Sequence, residues 1–580
     1  MSQKITISHR SLLIAAVLSI FLLSVPARSQ ESTASASKDD GTAAELRKKG
    51  VDLLQSVAGQ IQSLSSGENR ARMSSISGAL LWKYDEKRAR ELFTAARDEI
   101  MTGLADNNDR DDATTFRAFL VFKQVRSDTL TRIADHDPEL ALEFLRATRL
   151  PPDSEPEYYG LSTERALELR LASQIAERNP KLAVRLGRQS LAKGLSYEVM
   201  SLFEQLRKQD KEATATLFKA LVEKLKSSDF ENDQYAGQVA TYLVKSFQPP
   251  EADAVIYREL ISALLASASS KNCATVSEDE ASSFCYLMAS LIPEIEKYDA
   301  RQAHTFKRWV SEEGESNSEI LELSGPDSFS EQANEIIRNG TVDEILALGS
   351  SNQSPGREFQ IRRAAITKAQ ANGDVARARK IAAEYSDERM REFLLQQIER
   401  DEMVRAVDAE KLAAIQEKAR QLPKPENRFA FLLEASLQIG PKDPKSMLTL
   451  LNQANQIADS MKPGKPQVEA KLGLAMLYCL AKSDRGFAIM ESVLPRLNEL
   501  VAAAASLDGF ENNYLHEGEW NMSGGGGVGE LLNELARSAG SFAVMDFDRA
   551  VELSNQFERP ELRLMAKLKL AEAALSTAQR

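Results

Sequence analysis

The glycine-rich segment WNMSGGGGVGELLNELARSAG (520–540) is the most conspicuous stretch that could bind a ligand. Gly524, Gly526 and Gly529 have the G-x-G-x-x-G spacing, and a helical pattern follows them. Backbone N–H groups in such a loop can bind a phosphate at a helix N-terminus. However, no strand pattern precedes the loop and no GK[ST] follows it, so the usual context of a nucleotide site is missing. Two interpretations stay open: an anion site, and a plain connection between two helices.

Aromatic side chains precede these glycines in the stretch ENNYLHEGEW (511–520). Aromatic residues on a long loop are typical of contacts with a protein partner. We therefore name Tyr514, His516 and Trp520 as candidate partner contacts. The alternative for Trp520 is that it covers the edge of a hydrophobic core.

Metal and catalytic signatures are not evident in the sequence. The four histidines lie far apart, and none belongs to an HExxH pair. The segment DNNDRDD (106–112) resembles a calcium loop only in composition, because Asp111 stands at the sixth position in place of Gly and Arg117 at the twelfth in place of Glu. There is no Gly-x-Ser-x-Gly elbow, and no carboxylate pair stands out as an acid and base. We predict no metal, no cofactor and no catalytic residue.

Three cysteines are available for redox chemistry. Cys273 and Cys285 flank a capping-box pattern formed by Ser277 and Glu280, which predicts the start of a helix. In an oxidising compartment the two thiols could pair if the loop folds back along that helix, and two free thiols are the alternative. Cys479 lies in an apolar helical pattern and is predicted to be a buried small side chain.

The N-terminus has the pattern of a secretory signal peptide at 1–29. Cationic residues precede an apolar run at 11–25, and Ala-Arg-Ser at 27–29 resembles a cleavage site. This pattern predicts export to the periplasm or the exterior. An uncleaved anchor is the alternative, and the apolar run is shorter than the ~20 residues that a membrane span needs, which favours cleavage. The following residues, 30–41, are small and polar, and we predict that they form a disordered leader.

Composition limits the classes of partner. The chain has 580 residues and a net charge of −12, and an acidic surface repels nucleic acid and anionic lipid. No later segment is apolar enough to span a bilayer. Runs with period-two alternation of β-branched residues are almost absent, so very little strand is expected.

One helical pattern recurs along the chain. We therefore expect helices to position the candidate site residues named above. A polar cap is followed by a helical stretch with small residues at fixed offsets in DPELALEFL, NPKLAVRLG, GDVARARKI, DPKSMLTLL and DFDRAVELS. Each copy follows another amphipathic helix, and such a hairpin cannot bury its apolar face alone. The pattern predicts an all-α fold, an α-solenoid of stacked antiparallel hairpins.

The repeats divide into two predicted blocks. The N-terminal block spans 42–311 and the C-terminal block spans 331–580, with an acidic linker containing serine, glycine and proline at 312–330. Early helices are predicted at 42–65, 68–83, 85–104 and from 113 to about 135, and a buried inner helix at 467–481.

The hairpin pattern, as in ENRFAFLLEASLQIGPKDPKSMLTLL (426–451) and QVEAKLGLAMLYCLAKSDRGFAIM (467–490), resembles the tetratricopeptide-like superfamily of degenerate helical repeats, which includes exported bacterial members. HEAT-like packing is the alternative. The resemblance implies binding of a protein or peptide on a solenoid surface, and it transfers no catalytic residue.

The sequence therefore leads to a first hypothesis, an exported non-enzymatic scaffold that binds a protein or peptide. The first alternative is a helical-toroid enzyme that acts on a cell-envelope polysaccharide, which would need two carboxyls in a groove with sugar-stacking aromatics. The second alternative is a ligand-sensing protein with an anion site at the glycine loop.

Overall fold

The computed structural model describes the chain over residues 36–106, 113–150, 164–230, 233–270, 283–297, 336–349, 355–385, 387–405, 412–440, 443–510, 512–522 and 527–577. Helices account for nearly all of the secondary structure in these ranges. The predicted all-α fold, an α-solenoid of antiparallel hairpins, is confirmed.

The first part of the described chain contains twelve helices. They are α1 (Ala36–Gln60), α2 (Gly67–Leu81), α3 (Glu86–Asp106), α4 (Ala113–Ala134), α5 (Pro138–Ala147), α6 (Glu164–Ile175), α7 (Pro180–Lys193), α8 (Glu198–Gln209), α9 (Lys211–Lys226), α10 (Gln234–Ser246), α11 (Ala254–Ser270) and α12 (Ser283–Glu296).

The second part continues the series and contains one small hairpin. Its elements are α13 (Val342–Ala347), α14 (Pro355–Ala371), α15 (Val375–Ala383), α16 (Glu388–Arg405), α17 (Leu412–Gln421), α18 (Pro425–Ile439), α19 (Pro444–Ser460), α20 (Lys465–Leu480), α21 (Arg485–Ser506), β1 (Leu515–His516), β2 (Glu519–Trp520), α22 (Val528–Met545), α23 (Phe547–Ser554) and α24 (Pro560–Thr577).

The recurring Asp or Asn before a helix acts as its N-cap. The Asp137 carboxylate accepts hydrogen bonds from the backbone N–H groups of Glu139 and Leu140 at the start of α5. Asn179 caps α7 and Asp443 caps α19 in the same way. A proline follows each of these three caps at the first helical position, where its missing N–H costs nothing. The capped-hairpin pattern in the sequence thus marks real helix starts.

The chain divides into two compact units, one formed by residues 126–365 and the other by residues up to 125 together with those from 366 onward. In the unit 126–365, helices alternate between two rows. α6, α8, α10 and α12 pack in one row, and α7, α9 and α11 pack in the other. The helices of both rows bury apolar side chains, as at Ala172 in α6 and Leu217 in α9, which are fully buried.

In the other unit, α1 and α24 pack in one of two hydrophobic clusters. Leu54 and Val57 of α1 pack in the same cluster as Leu564 and Leu568 of α24. The larger cluster of this unit extends through the helices from α17 to α24. The predicted inner helix corresponds to α20, whose Leu474 and Tyr478 are fully buried.

Some boundaries differ from the sequence-based expectation. α1 begins at Ala36, inside the segment 30–41 that was expected to be disordered. The unit boundaries near 125 and 365 also do not coincide with the predicted blocks 42–311 and 331–580. The signal segment 1–29 and the linker 312–330 lie outside the described residues.

Candidate binding site

A polar groove of about 540 Å³ lies between α6 and the start of α8 in the unit 126–365. Two helices of the same row form its walls. Its lining contains hydroxyl, amide, charged and aromatic side chains: Arg170, Ser173, Gln174, Glu177, Tyr197, Glu198, Ser201 and Gln205.

The first wall, α6, is fixed at its N-terminus by a buried ion pair. The guanidinium of Arg126, which is 1% exposed, donates to both carboxylate oxygens of Glu164 at 2.5 and 2.9 Å. Arg126 also donates to the Thr148 hydroxyl at 2.8 Å. A bidentate pair with further hydrogen bonds holds both charges in one geometry. The start of α6 is therefore tied to α4 and to the end of α5.

The C-terminal part of α6 is tied to α4 by a groove residue. The Gln174 amide donates to the backbone carbonyl of Thr131 at 2.8 Å and to the Asp135 carboxylate at 2.5 Å. The amide nitrogen is thus occupied, and the amide oxygen is the part of this side chain that can accept a hydrogen bond from a ligand.

The second wall, α8, is held from its far side by a charged network. Arg207 donates to both oxygens of Glu251 at 2.5 and 2.6 Å, and to Glu204 at 3.1 Å. These hydrogen bonds lower the pKa of Glu251. Burial, together with the hydrogen bond to Glu204, raises the pKa of the Tyr242 phenol on α10. The network fixes α8 against α10 while leaving Ser201 and Gln205 exposed toward the groove.

Sequence reasoning named none of the residues that line this groove, and Tyr197 is the most conspicuous of them. It is 58% exposed, and it occupies the N-cap position of α8 without forming a side-chain cap. Ser, Thr, Asp and Asn are preferred at that position, and an aromatic residue adds nothing to the helix there. A tyrosine at an N-cap position, where a small polar residue is expected, is the sequence signal that could have identified Tyr197 as a candidate contact.

The groove can bind groups that need hydrogen bonds and one flat apolar contact. Ser173, Ser201 and Gln205 offer neutral donors and acceptors, and Tyr197 offers an exposed ring. Arg170 and Glu198 face each other across the groove at 3.4 Å, and Arg170 is about half exposed. The Glu198 carboxylate also accepts a hydrogen bond from the Ser196 hydroxyl, so the more exposed Arg170 guanidinium is the charge that is available to a ligand.

The aromatic residues predicted as partner contacts lie on or beside the β-hairpin of the other unit. Tyr514 stacks on Trp520 with ring centroids 5.6 Å apart, and Trp520 is only 3% exposed. His516 is half-buried and lies edge-on to Phe122, 6.4 Å between centroids. The burial of Trp520 favours the alternative that its ring covers a core.

The same hairpin connects α2 to α24 through buried carboxylates. Glu519 accepts hydrogen bonds from the backbone N–H groups of Ser65 at 2.6 Å and Ser66 at 3.2 Å, just before α2. Glu561, at the start of α24, accepts one from the backbone N–H of Trp520 at 2.8 Å. Glu519 and Glu561 are 7% and 1% exposed. The hairpin therefore joins residues that are about 450 positions apart in sequence.

The glycine loop and the cysteine pair are only partly within the described residues. Gly529 is buried in the first turn of α22, whereas Gly524 and Gly526 lie outside the described residues. Cys273 also lies outside them, and so does the side chain of Cys285. The anion site and the disulfide remain predictions. Cys479 is buried and free, as predicted.

The described part of the chain contains no group of three or more His, Cys, Asp or Glu side chains that could hold a metal ion. Within the same residues, no helix combines the length and the apolar character that crossing a membrane requires.

Comparisons with known proteins identify no family for this chain. No protein-family model matches the chain, and no curated protein matches it. One solved structure that matches is a circular tandem repeat protein with a novel repeat topology and enhanced subunit contact surfaces, at 12% identity over 93% of this chain and 98% of that one. Its TM-score is 0.13, so the likeness carries no argument. The helices themselves define the class, an all-α helical-repeat protein.

Proposed function

We propose that this protein is an exported scaffold that binds an extended segment of a protein partner in the groove between α6 and α8. The observation that carries this proposal is Tyr197, a large aromatic side chain that is 58% exposed among hydrogen-bonding groups. Aromatic anchors surrounded by polar groups are typical of protein interfaces.

The chemistry of the groove suits a polypeptide backbone. Hydroxyls and amides on both walls can pair with the N–H and C=O groups of an extended chain, and Tyr197 can pack on an apolar side chain. Both walls are fixed by the contacts of Arg126 and Arg207, so little ordering entropy is lost on binding.

Selection from a displayed library of random peptides tests this proposal. Enriched peptides should bind the wild-type protein and lose at least tenfold in affinity for Tyr197→Ala. The matched control is Tyr84→Ala, which removes another partly exposed tyrosine from the other unit and should leave binding unchanged. Peptides whose affinity is the same for Tyr197→Ala and wild type would place the binding surface elsewhere.

Export rests on the signal pattern at 1–29 and needs a test of its own. Mass spectrometry of the protein from an expressing bacterium should show a mature chain that begins near Gln30. An intact chain that begins at Met1 would contradict cleavage.

A second candidate function is supported by the same groove. Glu177 and Glu198 line it together with Tyr197, and two carboxyls with an aromatic ring in one groove are residue types that the polysaccharide hypothesis needs. An enzyme of this kind should release reducing ends from cell-envelope polysaccharide and lose that activity in the Glu177→Gln and Glu198→Gln variants. Peptide binding without any hydrolysis would leave the scaffold as the better proposal.

A further inference from the structure

A second cavity, of about 80 Å³, lies among α21, α22, α23 and α24 in the unit that contains both chain ends. Its inner wall consists of buried apolar side chains, including Leu494, Phe542 and Phe557. Alanines at positions 539 and 566, on the facing helices α22 and α24, leave the space open. The cavity exists because small residues stand where larger ones would fill the core.

The rim of this cavity reaches the protein surface. Leu532, Leu535 and Met565 line it and are only half-buried, in contrast to the buried inner wall. An apolar molecule can therefore enter between α22 and α24. Cavities lined by apolar side chains stay dry and bind small apolar molecules, as engineered cavities of about 150 Å³ bind benzene.

Two polar side chains line this cavity, and they differ in availability. The Ser554 hydroxyl donates to the backbone carbonyl of Val551 at 2.6 Å, so its proton is already used. The Lys569 ammonium is at the rim, one-third exposed, and lies 2.7 Å from the Glu572 carboxylate in the next turn. Ion pairs of this exposure contribute at most about 1 kcal/mol, so a ligand carboxylate can replace Glu572.

We propose that this cavity binds a short-chain aliphatic carboxylate, with its hydrocarbon chain inside and its carboxylate on Lys569. The apolar wall selects the chain, since each buried methylene contributes about 0.8 kcal/mol. The ammonium at the rim selects an anionic head over a neutral one. The volume limits the chain to a short one. The site is separate from the groove between α6 and α8 and does not depend on the function proposed for that groove.

Methionine methyl groups give a direct readout, because Met490 and Met565 both line the cavity. In protein labelled with ¹³C at the methionine methyls, butyrate, whose three-carbon chain suits the small volume, should shift these two signals saturably and leave the other methionines in place. Butan-1-ol should shift the same signals, because its chain fills the same space. No saturable shift with either compound would overturn the proposal.

Two variants separate the parts of the site. Lys569→Gln should weaken the binding of butyrate at least fivefold and leave that of butan-1-ol unchanged, whereas the control Lys567→Gln, on the same helix but outside the lining, should change neither. Ala539→Leu should fill the cavity, abolish both sets of shifts and keep or raise the melting temperature. Equal weakening of acid and alcohol by Lys569→Gln, or shifts that persist in folded Ala539→Leu, would refute the assignment.

Discussion

Gly486 lies directly against Cys479. A β-carbon at position 486 would be 2.5 Å from the Cys479 sulfur and 2.6 Å from the backbone carbonyl of Ala475. Glycine here allows the start of α21 to approach α20 at a distance that no other residue permits. The turn of the α20–α21 hairpin is therefore set by one missing methyl group.

We expect Gly486→Ala to destabilise this unit. Overpacking against a backbone carbonyl costs about 1–3 kcal/mol, more than the roughly 0.5–1 kcal/mol that alanine gains over glycine in a helix. Gly473→Ala in α20 is the matched control. No atom lies within 4 Å of a β-carbon there, so this variant should raise stability. Denaturant midpoints of the two variants should move in opposite directions; a shared gain would contradict the close approach.

Cys479 should be inert to alkylation while the protein is folded. Burial raises the pKa of this thiol to about 12, and the thiolate is the reactive form. Iodoacetamide at pH 8 should leave Cys479 unmodified in the native protein and modify it fully in guanidinium chloride, as followed by peptide mass spectrometry. Rapid labelling of Cys479 under native conditions would show that α20 is not an inner helix.

The same digest, without reduction, tests whether Cys273 and Cys285 pair.

Glu534 should make stability depend on pH. It is 8% exposed in α22, and burial raises its pKa. Below the ordinary carboxyl pKa the group is protonated in both states and costs nothing. As the pH rises through the raised pKa of the folded state, the buried charge lowers the free energy of unfolding. Glu534→Gln should therefore raise the melting temperature at pH 7, and the gain should vanish near pH 4.

The control for that experiment is Glu530→Gln, one turn earlier on the same helix. Glu530 is half-exposed and pairs with Lys465, so its replacement should not produce the same pH-dependent gain. Equal gains at pH 4 and pH 7 for Glu534→Gln would show that its charge is not the cause.

Glu519 should hold the residues before α2 in place. Its replacement by Ala leaves the N–H groups of Ser65 and Ser66 without their acceptor, and hydrogen bonds to a charged group contribute roughly 1.5–3 kcal/mol each. We expect faster amide hydrogen exchange at residues 65–69 in Glu519→Ala. Glu517→Ala removes a half-exposed carboxylate that accepts from Gly67, and it should produce a smaller change. Unchanged exchange at Ser65 in Glu519→Ala would rule out this role.

The helices could be predicted because their signals are local. Each signal involves residues within one or two helical turns of one another. Examples are the caps Asp137 and Asn179 with the prolines that follow them, and the apolar residues around Ala172. The helix predicted at 68–83 corresponds to α2 within two residues at each end. Local capping and periodicity are set by residues a few positions apart, so a single sequence contains them.

The polar contacts that position the candidate sites could not be predicted in this way. Glu and Arg are residue types that usually lie on the solvated surface. Glu519 and Arg126 are nevertheless buried, because their hydrogen-bond partners come from distant parts of the sequence. Tyr197 was overlooked because one exposed aromatic residue does not disturb a helical pattern. A ligand groove depends on which helices become neighbours in the fold. The periodic pattern of apolar residues along the sequence does not specify those neighbours.

The shared core of α1 and α24 has a consequence for how the protein is made. Leu54 cannot reach Leu568 until the ribosome has synthesised nearly the whole polypeptide. The entropy of closing so long a loop must be overcome before these contacts stabilise anything. α1 therefore stays without this neighbour until α24 has been synthesised, and the contacts between the two helices can add to the cooperativity of folding only from that point on.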